Sequence, residues 1–374
     1  MRPPCWGAWQ RFLVTASVGV AVSCGGGAEP GTDLSLVPHA GLSVPLSESS
    51  RVVLVNDTTV CTIESYDSRV YCTDVTDASV VSRFGRAGEG PGEFRGLLYL
   101  VRGPEDVVGV VDTDLQRMSV FDLAGTLVSE VRLPNLGFIK PSSSGFSVGL
   151  TVNLSSLRRD STSGAILPAY RQVEIDVESG EVMWERTFPS RRFRTDSGCV
   201  EQRESEGLNS GAFSPRGSVA FPLCDGHLIF FAGRGHPSGT LVRAPRYVLE
   251  FPSERDVEEY MESAGIFANE SFFRSMAKPY PRLPLVWDDR NRLWVVTNRG
   301  RTEEVSYLDI YSSDGEYRGA VRVRHDALAI DVRGHTLAVL VDRPVGREDV
   351  DGYPDRGVDL YDISRLEFPE VGRN

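Results

Sequence analysis

Residues 107–134 read VVGVVDTDLQRMSVFDLAGTLVSEVRLP, three short apolar runs separated by turn-forming residues. Each run has the length of an ordinary β-strand and is rich in β-branched or aromatic residues. The gaps are too short for the crossover helices that parallel strands need, so neighbouring strands are expected to be antiparallel. This stretch therefore predicts a unit of antiparallel sheet.

The same unit recurs along the chain. Its clearest second copy spans 292–323, where Tyr311-Ser312-Ser313-Asp314-Gly315 aligns with Phe121-Asp122-Leu123-Ala124-Gly125. Weaker copies lie at 52–84, 170–188, 218–251 and 336–363. A four-stranded sheet cannot bury both faces alone, whereas radial stacking covers the faces and protects the edges. We predict an all-β protein, a single six-bladed β-propeller with four-stranded blades over 50–370; the uneven repeat spacing leaves seven blades as an alternative.

One sequence element is more specific than the repeated strands. Residues 84–95 read FGRAGEGPGEFR, in which glycines permit unusual backbone angles and Pro91 restricts its own. It resembles the G-x-x-G-x-G-P-G-E-F element of bacterial six-bladed propellers, a TolB-like group related to NHL repeats. Residues 110–125 also resemble the NHL pattern, with Asp112 and Arg117 at its aspartate and arginine positions. The resemblance implies the propeller fold far more than it implies a function.

A helical insertion interrupts the β pattern at about 253–277. Ser253 followed by Asp256 is a variant of the capping box, and an apolar face at helical spacing comes next. A second short helix is predicted from Asn269 to before Pro279. The favoured interpretation is a helical pair packed on the propeller rim, and the alternative is a lid or partner-docking element.

The first 24 residues predict export. Arg2 and Arg11 precede an uncharged apolar run that is too short to span a membrane, the pattern of a signal peptide. The run ends at Ala21-Val22-Ser23-Cys24, which resembles the lipobox of bacterial lipoproteins and implies lipidation of Cys24. An ordinary secretory signal cut nearby is the alternative. Residues 25–49 would be a tether and lead-in, and Gly25 favours the outer membrane or the periplasmic face.

Export places the remaining cysteines in an oxidising compartment. The disulfide candidates are Cys61, Cys72, Cys199 and Cys224. Cys61 and Cys72 flank a turn between two β-like runs, so a cross-strand bridge is plausible, and Cys199 with Cys224 would close a polar loop. Four cysteines allow three pairings, and the sequence does not choose among them.

Charge and motifs favour binding over catalysis. The net charge of −12 argues against nucleic-acid binding, because phosphate backbones repel an acidic chain. No nucleophile elbow or phosphate-binding loop is present. Arg191, Arg192 and Arg194 could hold a carboxylate or phosphate, although a solvated loop is favoured. Asp349, Asp351 and Asp355 could hold a hard cation such as Ca²⁺, although a solvated hairpin tip is favoured, and no cofactor is predicted.

Three hypotheses of function follow. The leading one is a monomeric, non-enzymatic envelope scaffold, anchored to the membrane only by its lipid, that binds a protein, a peptide or a small ligand. The runner-up is a metal-dependent hydrolase, lactonase or lyase with its site in the central channel, where Asn56 and Asp288 are candidate inward-facing residues. A carbohydrate-binding module is the third hypothesis.

Overall fold

The computed structural model contains sheets and two short helices that belong to one unit, Thr32–Asn374. It describes residues 34–35, 38, 40–43, 51–64, 68–96, 98–134, 138–159, 166–188, 212–214, 217–222, 227–231, 239–245, 247–264, 269–275, 278, 280–281, 285–302, 304–343 and 355–366.

The strands are short, as their β-branched and aromatic runs predict. In chain order they are β1 (Leu34–Ser35), β2 (Ala40–Ser43), β3 (Val52–Leu54), β4 (Thr59–Glu64), β5 (Arg69–Asp74), β6 (Val80–Phe84), β7 (Leu98–Arg102), β8 (Val107–Asp112), β9 (Arg117–Asp122), β10 (Leu127–Arg132), β11 (Phe138–Phe146), β12 (Gly149–Arg159), β13 (Ile166–Asp176), β14 (Val182–Phe188), β15 (Ala212–Phe213), β16 (Val219–Pro222), β17 (His227–Phe231), β18 (Thr240–Arg243), β19 (Val286–Trp287), β20 (Leu293–Thr302), β21 (Val305–Tyr311), β22 (Tyr317–Arg324), β23 (Ala327–Arg333), β24 (Thr336–Arg343) and β25 (Asp355–Asp362). The helices between β18 and β19 are α1 (Glu254–Ala264) and α2 (Glu270–Ser275).

The described strands form six sheets, each built from consecutive antiparallel strands. Sheets 1 to 4 are β3–β6, β7–β10, β11–β14 and β15–β18; sheet 5 is β19–β22 with β1, and sheet 6 is β23–β25 with β2. The first strand of each sheet contacts the first strand of the next, in the order β3, β7, β11, β15, β19, β23 and back to β3. Antiparallel four-stranded sheets arranged in this way are the blades of a β-propeller.

Two short strands of the lead-in, β1 and β2, join the sheets. Ala40–Ser43 pairs antiparallel with β25 and supplies the fourth strand of sheet 6, so the sheets begin before residue 50. Leu34–Ser35 pairs in parallel with β22 and gives sheet 5 a fifth strand instead of the predicted four. Both strands cover an outer edge whose backbone groups would otherwise lack partners. The five other sheets each have four strands.

The hydrophobic core lies between neighbouring sheets. In β3, Val53 packs toward sheet 2 while Val52 and Leu54 pack toward sheet 6. Successive side chains of a strand point to opposite faces, so a strand buried on both faces is apolar along its whole length. This explains why the inner runs of each unit lack the polar alternation of a half-exposed sheet.

A disulfide joins Cys61 of β4 to Cys72 of β5, the cross-strand bridge suggested by the sequence. The two residues are directly opposite each other, with Cα atoms 4.1 Å apart, and both are fully buried. Cys199 and Cys224 lie outside the described residues.

The double substitution Cys61→Ala with Cys72→Ala is expected to lower the free energy of unfolding by about 2 kcal/mol. Closing a loop of this length removes about 3 kcal/mol of chain entropy from the unfolded state, but strand pairing already restrains the same segment. Urea unfolding with and without reductant measures the effect. Reductant should lower the urea midpoint of the wild type and leave the midpoint of the double variant unchanged. Equal midpoints for all samples would contradict the prediction.

The connection from sheet 1 to sheet 2 is the glycine-rich element at 84–95. Gly85 has a φ of +84°, and a Cβ there would lie 2.5 Å from the Phe94 ring, so glycine is required. The Glu93 carboxylate accepts hydrogen bonds from the Gly90 N–H at 2.8 Å and from Arg86 at 2.7 Å. These donors, the Gly90 N–H foremost, lower the pKa of Glu93. Phe94 is fully buried between the two sheets.

Arg117 holds this element against β9. Its guanidinium donates to the carbonyl oxygens of Glu89, Gly90 and Glu93 at 3.2, 3.0 and 2.5 Å. It also pairs with the Glu130 carboxylate at 3.1 Å. The arginine of the NHL-like pattern therefore binds a backbone turn of its own fold in this structure.

Asp112 supports the same connection from β8. One carboxylate oxygen accepts the Arg95 N–H at 2.7 Å, and the other accepts the N–H groups of Asp114 and Leu115 at 2.9 Å. A carboxylate can accept several such bonds at once, which suits aspartate at a turn. Both pattern residues thus have structural roles.

Candidate functional site

The helical insertion begins at the predicted capping box. The Ser253 N–H donates to the Asp256 carboxylate at 2.7 Å, and the Asp256 N–H donates to the Ser253 hydroxyl at 3.3 Å. These reciprocal bonds satisfy backbone donors that the first helical turn leaves free. The prediction of two helices within 253–277 is confirmed. No helix of the described part of the chain is long and apolar enough to span a membrane.

The two helices are bound to each other by charge and by aromatic stacking. Arg274 donates through two nitrogens to the Glu254 carboxylate, both at 2.7 Å, and also to Glu270 at 2.8 Å. The Tyr260 and Phe273 rings stack with centroids 4.2 Å apart. The pair therefore behaves as one element rather than as two separate turns.

Asp256 connects this element to the sheets. Its carboxylate lies 2.6 Å from the Lys278 ammonium and 3.5 Å from the Arg301 guanidinium at the end of β20. Arg301 is itself held by Asp326, with a shortest distance of 2.7 Å. Val257, one turn into α1, is buried. The apolar face predicted from the sequence is thus covered in part, because Val257 is buried whereas Met261 of that face remains 37% exposed.

A small pocket, partly open to solvent and with a volume of about 10 Å³, lies beside the insertion. Its lining combines aromatic, apolar and charged side chains, which are Tyr247, Val248, Glu250, Lys278, Tyr280, Asn298, Arg299 and Asp309. These residues come from the segment after β18, from the segment before β19 and from the strands β20 and β21. The pocket therefore lies where the segments on either side of the helices pack against sheet 5.

A buried hydrogen-bonded chain forms the floor of the pocket. Tyr280 Oη donates to Asp309 Oδ2 at 2.6 Å, and Tyr311 Oη lies 2.6 Å from Tyr280 Oη. Because the single Tyr280 proton goes to Asp309, Tyr311 donates to Tyr280. Arg299 reaches the other Asp309 oxygen at 3.5 Å and stacks over the Tyr307 ring at 4.7 Å.

Burial and the Asp309 charge act together on the two tyrosines. Burial first, and the neighbouring carboxylate second, raise the pKa of Tyr280 well above its ordinary value. The same two causes raise the pKa of Tyr311. Both phenols therefore stay protonated at neutral pH, and the floor of the pocket carries an aspartate paired with an arginine. This arrangement can bind polar groups, and it provides no activated nucleophile.

Exposed apolar side chains concentrate on the insertion. Of the twelve large hydrophobic residues exposed among the described residues, five lie between 248 and 272. We call these five the insertion surface; they are Val248, Leu249, Phe251, Met261 and Phe272. Val248, Leu249 and Phe251 are 62%, 53% and 53% exposed and flank Glu250, which lines the pocket.

Most of the residues proposed from the sequence as sites lie outside the described part of the chain. Arg191, Arg192, Arg194, Asp349, Asp351 and Cys24 lie outside the described residues, and Asp355 is the first residue of β25. No group of three metal-ligating side chains occurs among the described residues.

The two channel candidates for a metal are used for local structure. Asn56 donates to Asp106 at 2.9 Å and accepts from the Thr58 N–H at 2.9 Å. Asp288 is fully buried and accepts from Arg292 at 2.7 Å and from the Trp294 indole at 3.0 Å. Both side chains are therefore already bonded to other groups of the protein.

The sequence did not predict Tyr280, Asp309 or Arg299 as site residues. Tyr280 lies in a proline-rich segment, and Asp309 lies inside a strand of ordinary β composition. Their pairing depends on how the segment before β19 packs on sheet 5, and no local motif indicates it.

Comparisons with known proteins support the fold. No protein-family model matches the sequence, and no curated protein matches it. A crystal structure of a DUF4221 family member from Bacteroides vulgatus is similar over 87% of this chain and 97% of that chain, with 11% identity and a TM-score of 0.53. At this identity the likeness extends to the fold alone.

Two further solved structures are more distant. One is a protein described as exported from Bacteroides fragilis, with 12% identity, coverage of 91% and 100%, and a TM-score of 0.40. The other is regucalcin, a calcium-binding protein from Agrobacterium tumefaciens, with 12% identity, coverage of 90% and 98%, and a TM-score of 0.44. The sheets of this chain form a β-propeller fold. The resemblance to TolB-like and NHL proteins stays a prediction.

Proposed function

We propose that this chain is an exported, lipid-anchored, six-bladed β-propeller that binds a partner protein through the insertion surface. The propeller would act as a rigid platform without catalysing a reaction. The observation that carries the proposal is the concentration of exposed apolar side chains on the helices and on the segment just before them, beside a pocket. Exposed apolar patches on a folded protein are typical of interaction sites.

Six blades are supported by sheet 5. Its strands β19 to β22 follow the same antiparallel order as the other sheets, and β1 is an addition at the outer edge. The first strands of all six sheets contact one another in a closed cycle.

Rigid attachment of the insertion supports a docking role. Asp256 is bonded to Lys278 and Arg301, and Arg274 clamps the two helices together. A preorganised surface binds without the entropy cost of ordering itself. The adjacent small pocket adds acidic and basic groups beside this surface.

Site-specific crosslinking in cells tests the docking site. A photoreactive amino acid at Leu249 or Phe251 of the full-length protein is expected to give one discrete crosslinked product. The matched control position is Val128, a 59% exposed valine of β10 in sheet 2. A product that also forms at Val128, or no product at Leu249 and Phe251, would contradict the proposed site.

Lipid anchoring has its own test. The Cys24→Ser variant is expected to leave the membrane fraction and to remain exported. The serine hydroxyl cannot form the thioether bond by which the lipid would hold the chain. Fractionation of cell envelopes followed by immunoblotting measures this. A variant that stays with the membrane would show that something other than Cys24 anchors the protein.

A further inference from the structure

We propose that the segment docking on the insertion surface is basic as well as apolar, a stretch of protein with lysine or arginine interleaved among apolar residues. This inference rests on the proposed function, since it names the chemistry of the partner at the same surface.

The charge balance of the insertion supports this choice. Residues 247–278 contain seven acidic and three basic residues, a net charge of −4 out of the chain's −12. About one twelfth of the chain therefore carries a third of its net charge.

Internal ion pairs use most of the basic groups. Arg274 is bound by both Glu254 and Glu270, and Lys278 is bound by Asp256. The stretch contains four further glutamates, which are Glu250, Glu258, Glu259 and Glu262. Glu258 is exposed on α1, and Glu250 lies between Leu249 and Phe251. A partner that buries these apolar side chains would meet carboxylates around them.

The same charges argue against two other occupants. An acidic rim is repelled by anionic lipid headgroups, whereas membrane-surface helices carry lysine and arginine on their polar face. A second copy of the chain would place acidic surface against acidic surface, because both partners would present net charge −4. A basic segment instead gains complementary charge, which raises association rates and sets specificity.

The test uses the full-length lipidated protein in nanodiscs of zwitterionic lipid. Three fluorescent peptides of equal length share the same leucine and phenylalanine positions and carry lysine, serine or glutamate between them. At physiological salt the lysine peptide is expected to bind at least ten-fold tighter than the glutamate peptide. The serine peptide should fall between them.

Two variants separate apolar contact from charge. Leu249→Ser with Phe251→Ser should weaken all three peptides. Glu250→Gln with Glu258→Gln, Glu259→Gln and Glu262→Gln should bring the lysine and glutamate peptides within about two-fold of each other. The matched charge control changes four exposed acids elsewhere, with Glu105→Gln, Asp114→Asn, Glu178→Gln and Glu181→Gln. It should keep the ten-fold preference, and thermal melting confirms that each variant folds.

The outcomes separate the two proposals. Equal binding of the three peptides, lost in the Leu249 and Phe251 variant, would overturn the basic partner and leave the docking site standing. A lysine preference that also falls in the control variant would show general charge attraction and overturn the inference. Lipid-vesicle binding or self-association that depends on Leu249 and Phe251 would overturn it as well. Failure of crosslinking together with absent peptide binding would overturn both proposals.

Discussion

Asp309→Ala is expected to lower the free energy of unfolding by about 4 kcal/mol. Asp309 is fully buried, accepts the Tyr280 hydroxyl at 2.6 Å and faces Arg299 at 3.5 Å. Removing one member of a buried ion pair costs about 3–5 kcal/mol, because the other charge stays buried without compensation. The Tyr280 hydroxyl would also lose its acceptor, which adds to the cost.

Urea unfolding of the variant beside Glu304→Ala measures this effect. Glu304 is an exposed acid in the turn between β20 and β21, so its substitution is expected to change the free energy by less than about 0.5 kcal/mol. A double-mutant cycle of Asp309→Ala with Tyr280→Phe should give a coupling of about 1 kcal/mol or more. A loss for Asp309→Ala no larger than that for Glu304→Ala would contradict the structural role of the buried pair.

Arg117→Ala is expected to lower the free energy of unfolding by about 3 kcal/mol. The guanidinium is 12% exposed and bonds three carbonyl oxygens of the 84–95 element together with the Glu130 carboxylate. Without the guanidinium, these acceptor oxygens face each other across a partly buried turn. Each lost charged hydrogen bond lowers the free energy of unfolding by about 1.5–3 kcal/mol before the turn relaxes. Because the turn relaxes, the loss of stability is smaller than the sum of the individual hydrogen bonds.

Two further variants test whether the geometry of the Arg117 side chain or only its charge stabilises the turn. Arg117→Lys keeps the charge but loses the fork that reaches several acceptors, so most of the loss should remain. Arg132→Ala removes an exposed arginine from the paired strand β10 and should have little effect. If Arg117→Lys restored wild-type stability, charge alone would hold the turn and the proposed geometry would be wrong.

Much of the fold could be predicted because it is built from local units. The runs 107–134 and 292–323 became three consecutive antiparallel strands each, β8 to β10 and β20 to β22. Turn residues and β-branched runs determine local structure over a few positions, so a short stretch of sequence is enough to predict them. The insertion was equally local, since Ser253 and Asp256 cap α1 within one turn.

The edges of the propeller could not be predicted in this way. Ala40–Ser43 pairs with Gly357–Leu360 at the far end of the chain, and Leu34–Ser35 pairs with Val321 and Arg322. Such short strands carry almost no pattern of their own, and their pairing is selected only when the assembled sheets present an open edge. The predicted tether and lead-in over 25–49 therefore gave no indication of these two strands.

The sequence by itself determined the all-β class, the repeated sheet unit and the place of the helical insertion, because each depends on periodicity and capping within a few residues. Only the tertiary structure decided which side chains share the pocket. Arg299 and Asp309 lie on the neighbouring strands β20 and β21, and Tyr280 joins them only when the segment before β19 packs on this sheet. It also decided that Val248, Leu249 and Phe251 stay exposed, because burial depends on what the folded sheets can cover.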